Sequence, residues 1–227
     1  STYMVPYNPE SKTQMLVMVT EAVKAVYASV FFHDSKTYMT ATKNVIDEEK
    51  MAIVLQEICG NAYQNRYYPS FSGVARSLNY YPIGSEKSED GIVNIALGLG
   101  KFIMDGGQSL RFSPAFPNNV LQTSTLEFAL KETQTYFNAL DLNETSFIPQ
   151  VDDGFNLLRI SVQDAAKDGT LRYIASTYDY QNESIQDGIY EGRKIITFAN
   201  ILKHDVFPLA KILKDTMQTA QNEMGRP

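Results

Sequence analysis

A chain of 227 residues with 20 Lys+Arg against 26 Asp+Glu has a formal charge of −6, and its basic residues are dispersed, a surface that repels phosphate backbones, so nucleic acid is not expected as a partner. That length can bury the core of one domain or of two small ones, and 44% apolar with 20% charged residues is the composition of a globular piece. A single cysteine, Cys59, excludes an internal disulfide, and the distant His33 and His204 exclude a zinc-type cluster; a reducing, cytoplasmic setting is expected.

No apolar run is expected to reach the roughly 20 residues that cross a bilayer. The N-terminus also lacks a basic stretch followed by an apolar one and a cleavage site, so no membrane partner is expected. The chain begins at Ser1 and stops at Met224-Gly225-Arg226-Pro227, the ends expected of an excised segment.

Asn8-Pro9-Glu10 reads as a helix start, because Asn can cap and proline fits the first helical position. Met15, Val19, Ala22, Val26 and Val30 then recur every three or four residues, predicting an amphipathic helix to about Phe32. Asp34-Ser35 can cap a second, shorter helix carrying Tyr38 and Met39. Met51 to Ile58 is a short continuous apolar run ending in polar residues, the pattern of a strand buried on both faces. Strands are also expected over Ser72 to Asn79, over Gly91 to Leu97 before the pair Gly98 and Gly100, and over Leu110 to Phe112. Lys101 to Asp105 can form one or two helical turns.

Thr125 to Leu140 fits neither the helical nor the strand template. Beyond it, Asn156 to Val162 predicts a strand, Gln163 to Lys167 a short helix closed by Asp168-Gly169, and Tyr173 to Thr177 and Arg193 to Phe198 two further strands. The final segment places Val206, Leu209, Ala210, Leu213, Met217, Ala220 and Met224 on one helical face, with Pro208 in the first turn and Gly225 as the stop. Strands alternating with helices indicate an α+β, α/β-like architecture.

Three segments carry a functional signal when taken in order: Ile53-Val54-Leu55-Gln56-Glu57-Ile58, then Ser72-Gly73-Val74-Ala75-Arg76-Ser77, then Ala96-Leu97-Gly98-Leu99-Gly100-Lys101 running on to Asp105-Gly106. Singly, each also reads as a plain core strand, turn or glycine cap. Together they resemble the ATP-binding region of the phosphoenolpyruvate synthase and pyruvate phosphate dikinase family. Tyr68 to Ala75, Asn79 to Pro82 and Arg111 to Pro114 resemble a subgroup of large phosphoenolpyruvate synthase-like proteins, as do Ser176-Thr177-Tyr178-Asp179 and Thr197-Phe198-Ala199.

The resemblance implies an ATP-grasp-like nucleotide-binding fold, present in part, over residues 1–117. It also implies a family-specific elaboration over 118–192, and a strand and helix returning to the first part over 193–227. It implies ATP and Mg²⁺ as cofactors, and as partners a small-molecule nucleotide and the remaining domains of a parent dikinase that makes phosphoenolpyruvate from ATP, pyruvate and water. Adenine needs a donor and an acceptor side by side, which the extended backbone of Glu57 and Ile58 could present with Gln56 and Cys59 flanking. Ser72, Gly73, Arg76, Gly98 and Gly100 would form the rest of the nucleotide site. Lys101 stands where the family usually has Glu, and Asp105 could stand in for that carboxylate or Lys101 could meet a phosphate itself. The family's phosphate-holding segments, metal ligands and phosphoryl-carrying histidine have no counterpart here. No catalytic or metal-ligating residue is therefore expected in the chain, and a non-catalytic interaction or scaffold module that keeps the nucleotide-binding fold is the alternative.

Overall fold

The computed structural model describes residues 2–6, 11–42, 50–143 and 156–225. Its elements in chain order are α1 (Lys12–Ala28), α2 (His33–Thr42), β1 (Asn61–Tyr63), β2 (Arg66–Tyr68), β3 (Ser72–Arg76), β4 (Ile92–Ala96), α3 (Lys101–Met104), β5 (Leu110–Phe112), α4 (Leu126–Glu132) and β6 (Tyr136–Asp141). They continue with β7 (Leu157–Ser161), α5 (Val162–Ala165), β8 (Ala175–Asp179), β9 (Ser184–Asp187), β10 (Arg193–Ile196), α6 (Ala199–Leu202) and α7 (Leu209–Met224). The chain divides into two compact units, Ser1–Tyr67 with Ala139–Leu158, and Tyr68–Asn138 with Arg159–Pro227.

In the first unit α1 opens on Ser11, whose hydroxyl accepts the Gln14 N–H at 3.3 Å and satisfies one of the unpaired donors of the first turn. The expected start at Asn8-Pro9-Glu10 lies outside the described residues. The inward face centres on Met18, Ala22 and Ala25, one position round from the predicted stripe, and Leu16, Val17 and Tyr27 are exposed. A 3-10 turn, Ser29–Phe31, leads to α2, and the Ser35 hydroxyl locks the corner by donating to Ser29 O at 2.8 Å. Lys12–Phe31 spans 20 residues and contains an 18-residue stretch of mean hydropathy 1.3, long and apolar enough by length and composition alone to cross a membrane. Lys12, Gln14, Glu21 and Lys24 interrupt the segment, so it is apolar in its mean and not a continuous apolar run.

A correction concerns Met51 to Ile58, which has no strand structure, and Val54 and Leu55 are 88% and 71% exposed. An apolar run becomes a strand only where a neighbour supplies ladder bonds, and among the described residues none pairs with it. The sequence places no signal for β1 and β2, whose connection turns through Gln64 at φ +56°. These strands belong to a sheet of order β1-β2-β6-β7, in which Arg66 faces Asp141 and Tyr67 faces Leu140.

The second unit holds two three-stranded antiparallel sheets, in orders β3-β4-β5 and β10-β8-β9. β4 is the central strand of its sheet, and Ile92, Val93, Ile95 and Ala96 are buried. Burying side chains of this size contributes about 1.5–3 kcal/mol each for the larger ones. Every pairing with a described register is antiparallel, so the architecture is α+β and its α/β-like side is not seen. Thr125 to Leu140 resolves into both alternatives in succession, α4 capped by the Thr125 hydroxyl on Phe128 N–H and then β6. The terminal helix forms and is closed by Gly225 at φ +62° as expected, but it begins at Leu209: Pro208 is its cap and not part of its first turn, and Val206 lies outside it and exposed.

Candidate functional site

The end of β4 carries the glycine turn, and the register sets Ser72 opposite Ala96 and Gly73 opposite Ile95. The Ser72 hydroxyl donates to Gly98 O at 2.7 Å, and a Cβ on Gly100 would lie 3.5 Å from the Ser72 Cβ. Ser72, Gly73, Gly98 and Gly100 are thus brought together. Gly98 has φ +87°, and a Cβ there would fall 2.6 Å from the Phe137 ring. Gly98 is therefore occupied by the chain's own packing. Gly100 and Gly106 leave open backbone beside the turn: Gly100 has φ −61° with its nearest neighbour in ordinary contact, and nothing lies within 4 Å of a Cβ on Gly106.

Lys101 opens α3 and its ammonium meets the Asp105 carboxylate at 3.0 Å, with the lysine side chain 9% exposed and the aspartate 50%. The two alternatives for the missing carboxylate are thereby one ion pair. Arg76 stands at the far end of β3, opposite Ile92 and exposed, four residues from Ser72 or about 13 Å of strand. It is not part of the glycine cluster. Gln56, Glu57, Ile58 and Cys59 belong to the first unit; Gln56, Glu57 and Cys59 are exposed, and Ile58 accepts the Tyr67 hydroxyl on its carbonyl at 2.7 Å.

The short motifs distant in sequence close on one another. Arg111 donates to Asn79 Oδ1 at 3.0 Å and to Tyr81 O at 2.6 Å, so the Arg-Phe-Ser-Pro and Asn-x-Tyr-Pro segments form one corner. Asn79 in turn donates to Glu86 Oε2 at 3.0 Å, which also accepts the Ile83 N–H at 3.0 Å. The Glu86 side chain is fully buried, and its Oε1 has no hydrogen-bond partner among the described residues. Tyr68 donates to Asp168 at 2.5 Å, and Ser176 and Thr197 share a buried hydroxyl contact of 2.6 Å.

Asp187 accepts from Ser176 at 3.3 Å and pairs with His204 at 2.8 Å and Lys203 at 3.2 Å. Partial burial pushes the Asp187 carboxyl up, but His204, Lys203 and Ser176 together outweigh it and hold the group below its usual value. Asp179 is also held low, first by the Asn182 side chain and then by the Gln181 and Asn182 N–H groups.

Sequence reading missed the residues that hold the glycine turn in place. Buried Gln134 accepts the Leu97 N–H at 2.8 Å and donates to Leu97 O and Tyr136 O, both at 3.0 Å, imitating a strand neighbour at the end of β4. Thr133 beside it accepts the Ile196 N–H at 2.9 Å. Both carry polar side chains in a Thr-Gln-Thr run that reads as surface, and no local signal marks them. Glu86 sits in an acidic, serine-containing loop that also reads as solvated.

A mixed α+β chain with a serine and glycines gathered at a strand end fits several nucleotide-binding classes, and the family comparison decides among them. Residues 7–144, more than half of the chain, match the model of the pyruvate phosphate dikinase AMP/ATP-binding domain. The chain belongs to that family. No curated protein and no solved structure matches it.

Proposed function

We propose that the chain is the nucleotide-binding part of a phosphoenolpyruvate synthase-like dikinase, whose parent reaction converts ATP, pyruvate and water to AMP, phosphoenolpyruvate and phosphate. The observation that carries this reading is the family match over 7–144. The joining of Arg111 to Asn79 and Tyr81 supports the synthase-like subgroup, because those residues come from two of its motifs. An ATP-grasp-type fold is part of the proposal.

In this reading the backbone of Glu57 and Ile58, flanked by Gln56 and Cys59, offers adenine its donor and acceptor. Open backbone at Gly100 lets a polar ligand approach the turn held by Ser72, Gly73 and Gly98. Lys101 would exchange its Asp105 partner for a phosphate oxygen as a point charge. Arg76, at the other end of its strand, would act elsewhere on the nucleotide or on its neighbours. Mg²⁺, when bound in the parent, neutralises developing phosphate charge. Among the described residues no group of three His, Cys, Asp or Glu side chains gathers to hold it, so no step here runs through it.

Calorimetric titration of ATP and of AMP tests the proposal. Adenine contacts with one cation support dissociation on the millimolar scale, about −4 kcal/mol. Lys101→Met should weaken ATP more than AMP, and equal affinities would assign Lys101 to Asp105 alone. A second reading, a scaffold module that keeps the fold, is favoured by Gly98 being filled by Phe137 and Lys101 being paired. Absence of heat with either nucleotide would select it.

A further inference from the structure

The second unit contains an open cleft of about 460 Å³ between the edge of β10 and the connection from α4 to β6, within the size range of small-molecule sites. Thr135, Gln163, Tyr180, Arg193 and Lys194 line it, with Gln134 among its other lining residues. In a chain of net charge −6, none of the described residues that line this cleft is acidic. Among the described residues neither Arg193 nor Lys194 is in an ion pair with a carboxylate. Both are held by backbone carbonyls instead: Arg193 donates to Leu130 O at 3.2 Å, and Lys194 donates to Gly192 O at 2.9 Å and to Tyr190 O.

These bonds fix the two cations without neutralising them. Lys194 keeps one N–H of its ammonium, and the planar Arg193 fork keeps most of its five. The strand adds a third donor. Ile196 N–H points away from β8 to Thr133, and by the two-residue alternation of an antiparallel strand Lys194 N–H points to the same side. At the mouth, Tyr180 stands 65% exposed with its ring edge-on to Tyr178 at 4.7 Å, a fixed aromatic wall beside the charge.

We propose that this cleft is a second, anion-binding site that takes the phosphoryl group of a small molecule on Arg193 and Lys194. Fixed, unneutralised cations beside an outward N–H are the arrangement that recognises phosphoryl oxygens. The ligand's non-phosphate part rests against Tyr180, and Gln163 and Thr135 supply neutral hydrogen bonds. The site uses none of the residues assigned to the nucleotide.

The experiment is calorimetric titration of the 227-residue chain with inorganic pyrophosphate and, separately, with phenyl phosphate. Either should bind, pyrophosphate more tightly if the natural ligand is inorganic and phenyl phosphate if it is an organic phosphomonoester. Lys194→Gln should weaken binding about tenfold, the loss of one charge-assisted contact. Gln163→Glu breaks no described hydrogen bond, so it should leave the Tm in place while repelling the anion and removing the heat. Lys101→Met should change nothing, which separates this site from the proposed nucleotide site. Absence of binding by the wild-type chain, or equal affinity in a Gln163→Glu protein with unchanged Tm, overturns the proposal. Loss on Lys101→Met with retention on Lys194→Gln overturns it as well.

Discussion

Gly98 and Gly100 are two residues apart, and a methyl group would meet different surroundings at each. At Gly98 it meets a left-handed backbone and the Phe137 ring at 2.6 Å; at Gly100 it meets ordinary contact at φ −61°. Gly98→Ala should therefore lose more than about 2 kcal/mol in a denaturant titration, combining strain with overpacking. Gly100→Ala should stay within about 0.5 kcal/mol. Gln134 is the other residue on which the turn depends. Gln134→Leu leaves an N–H and two C=O groups unpaired in the core, at a cost of about 3 kcal/mol or more. In a chain of this size such a loss lowers Tm by roughly 6–12 °C, and a thermal melt checks it. A surviving Tm would mean that water replaces the amide without loss. The Gly-x-Gly spacing was legible in the sequence. What fills Gly98 was not, because Phe137 and Gln134 come from a segment 36 or more residues on and act only in three dimensions.

Among the elements, β9 is tied to the segment after α6 through Asp187, and that link depends on pH. His204, Lys203 and Ser176 face the carboxylate, and its folded pKa lies below its usual value. A group depressed in the folded state contributes stability that is fully present above its unfolded pKa, near 4, and is lost as pH falls through the folded value. The wild-type Tm should accordingly fall more steeply from pH 5 to pH 3 than that of Asp187→Asn, the two curves converging at the acid end. Parallel curves would show that Asp187 contributes no linkage. At this scale the sequence was informative wherever one period ran uninterrupted, as over α1 and α7, or where glycines bracketed a strand, as with β4. It failed where the period changed inside one window, as over Thr125 to Leu140. It also failed where a strand was inferred from apolarity alone, as at Met51 to Ile58, because a run of apolar residues carries no information about a ladder partner.

Over the whole molecule, the α+β class was accessible from the alternation of strand and helix patterns, and the dikinase-family membership from ordered short motifs that also form corners of the second unit. The division into two units was not accessible, since neither is a continuous stretch of sequence. That discontinuity has a consequence for synthesis. When residue 138 leaves the ribosome, the first unit still lacks its 139–158 segment and the second still lacks everything from 159 onward. Thr133 must wait for Ile196, a separation of 63 residues, before its hydroxyl has a donor to accept. At about 5–20 residues per second, that is several seconds in which β4 and the glycine turn exist with one side uncovered. Neither unit can therefore be complete before residue 158 has been made, and the second must still wait for its segment from Arg159 onward.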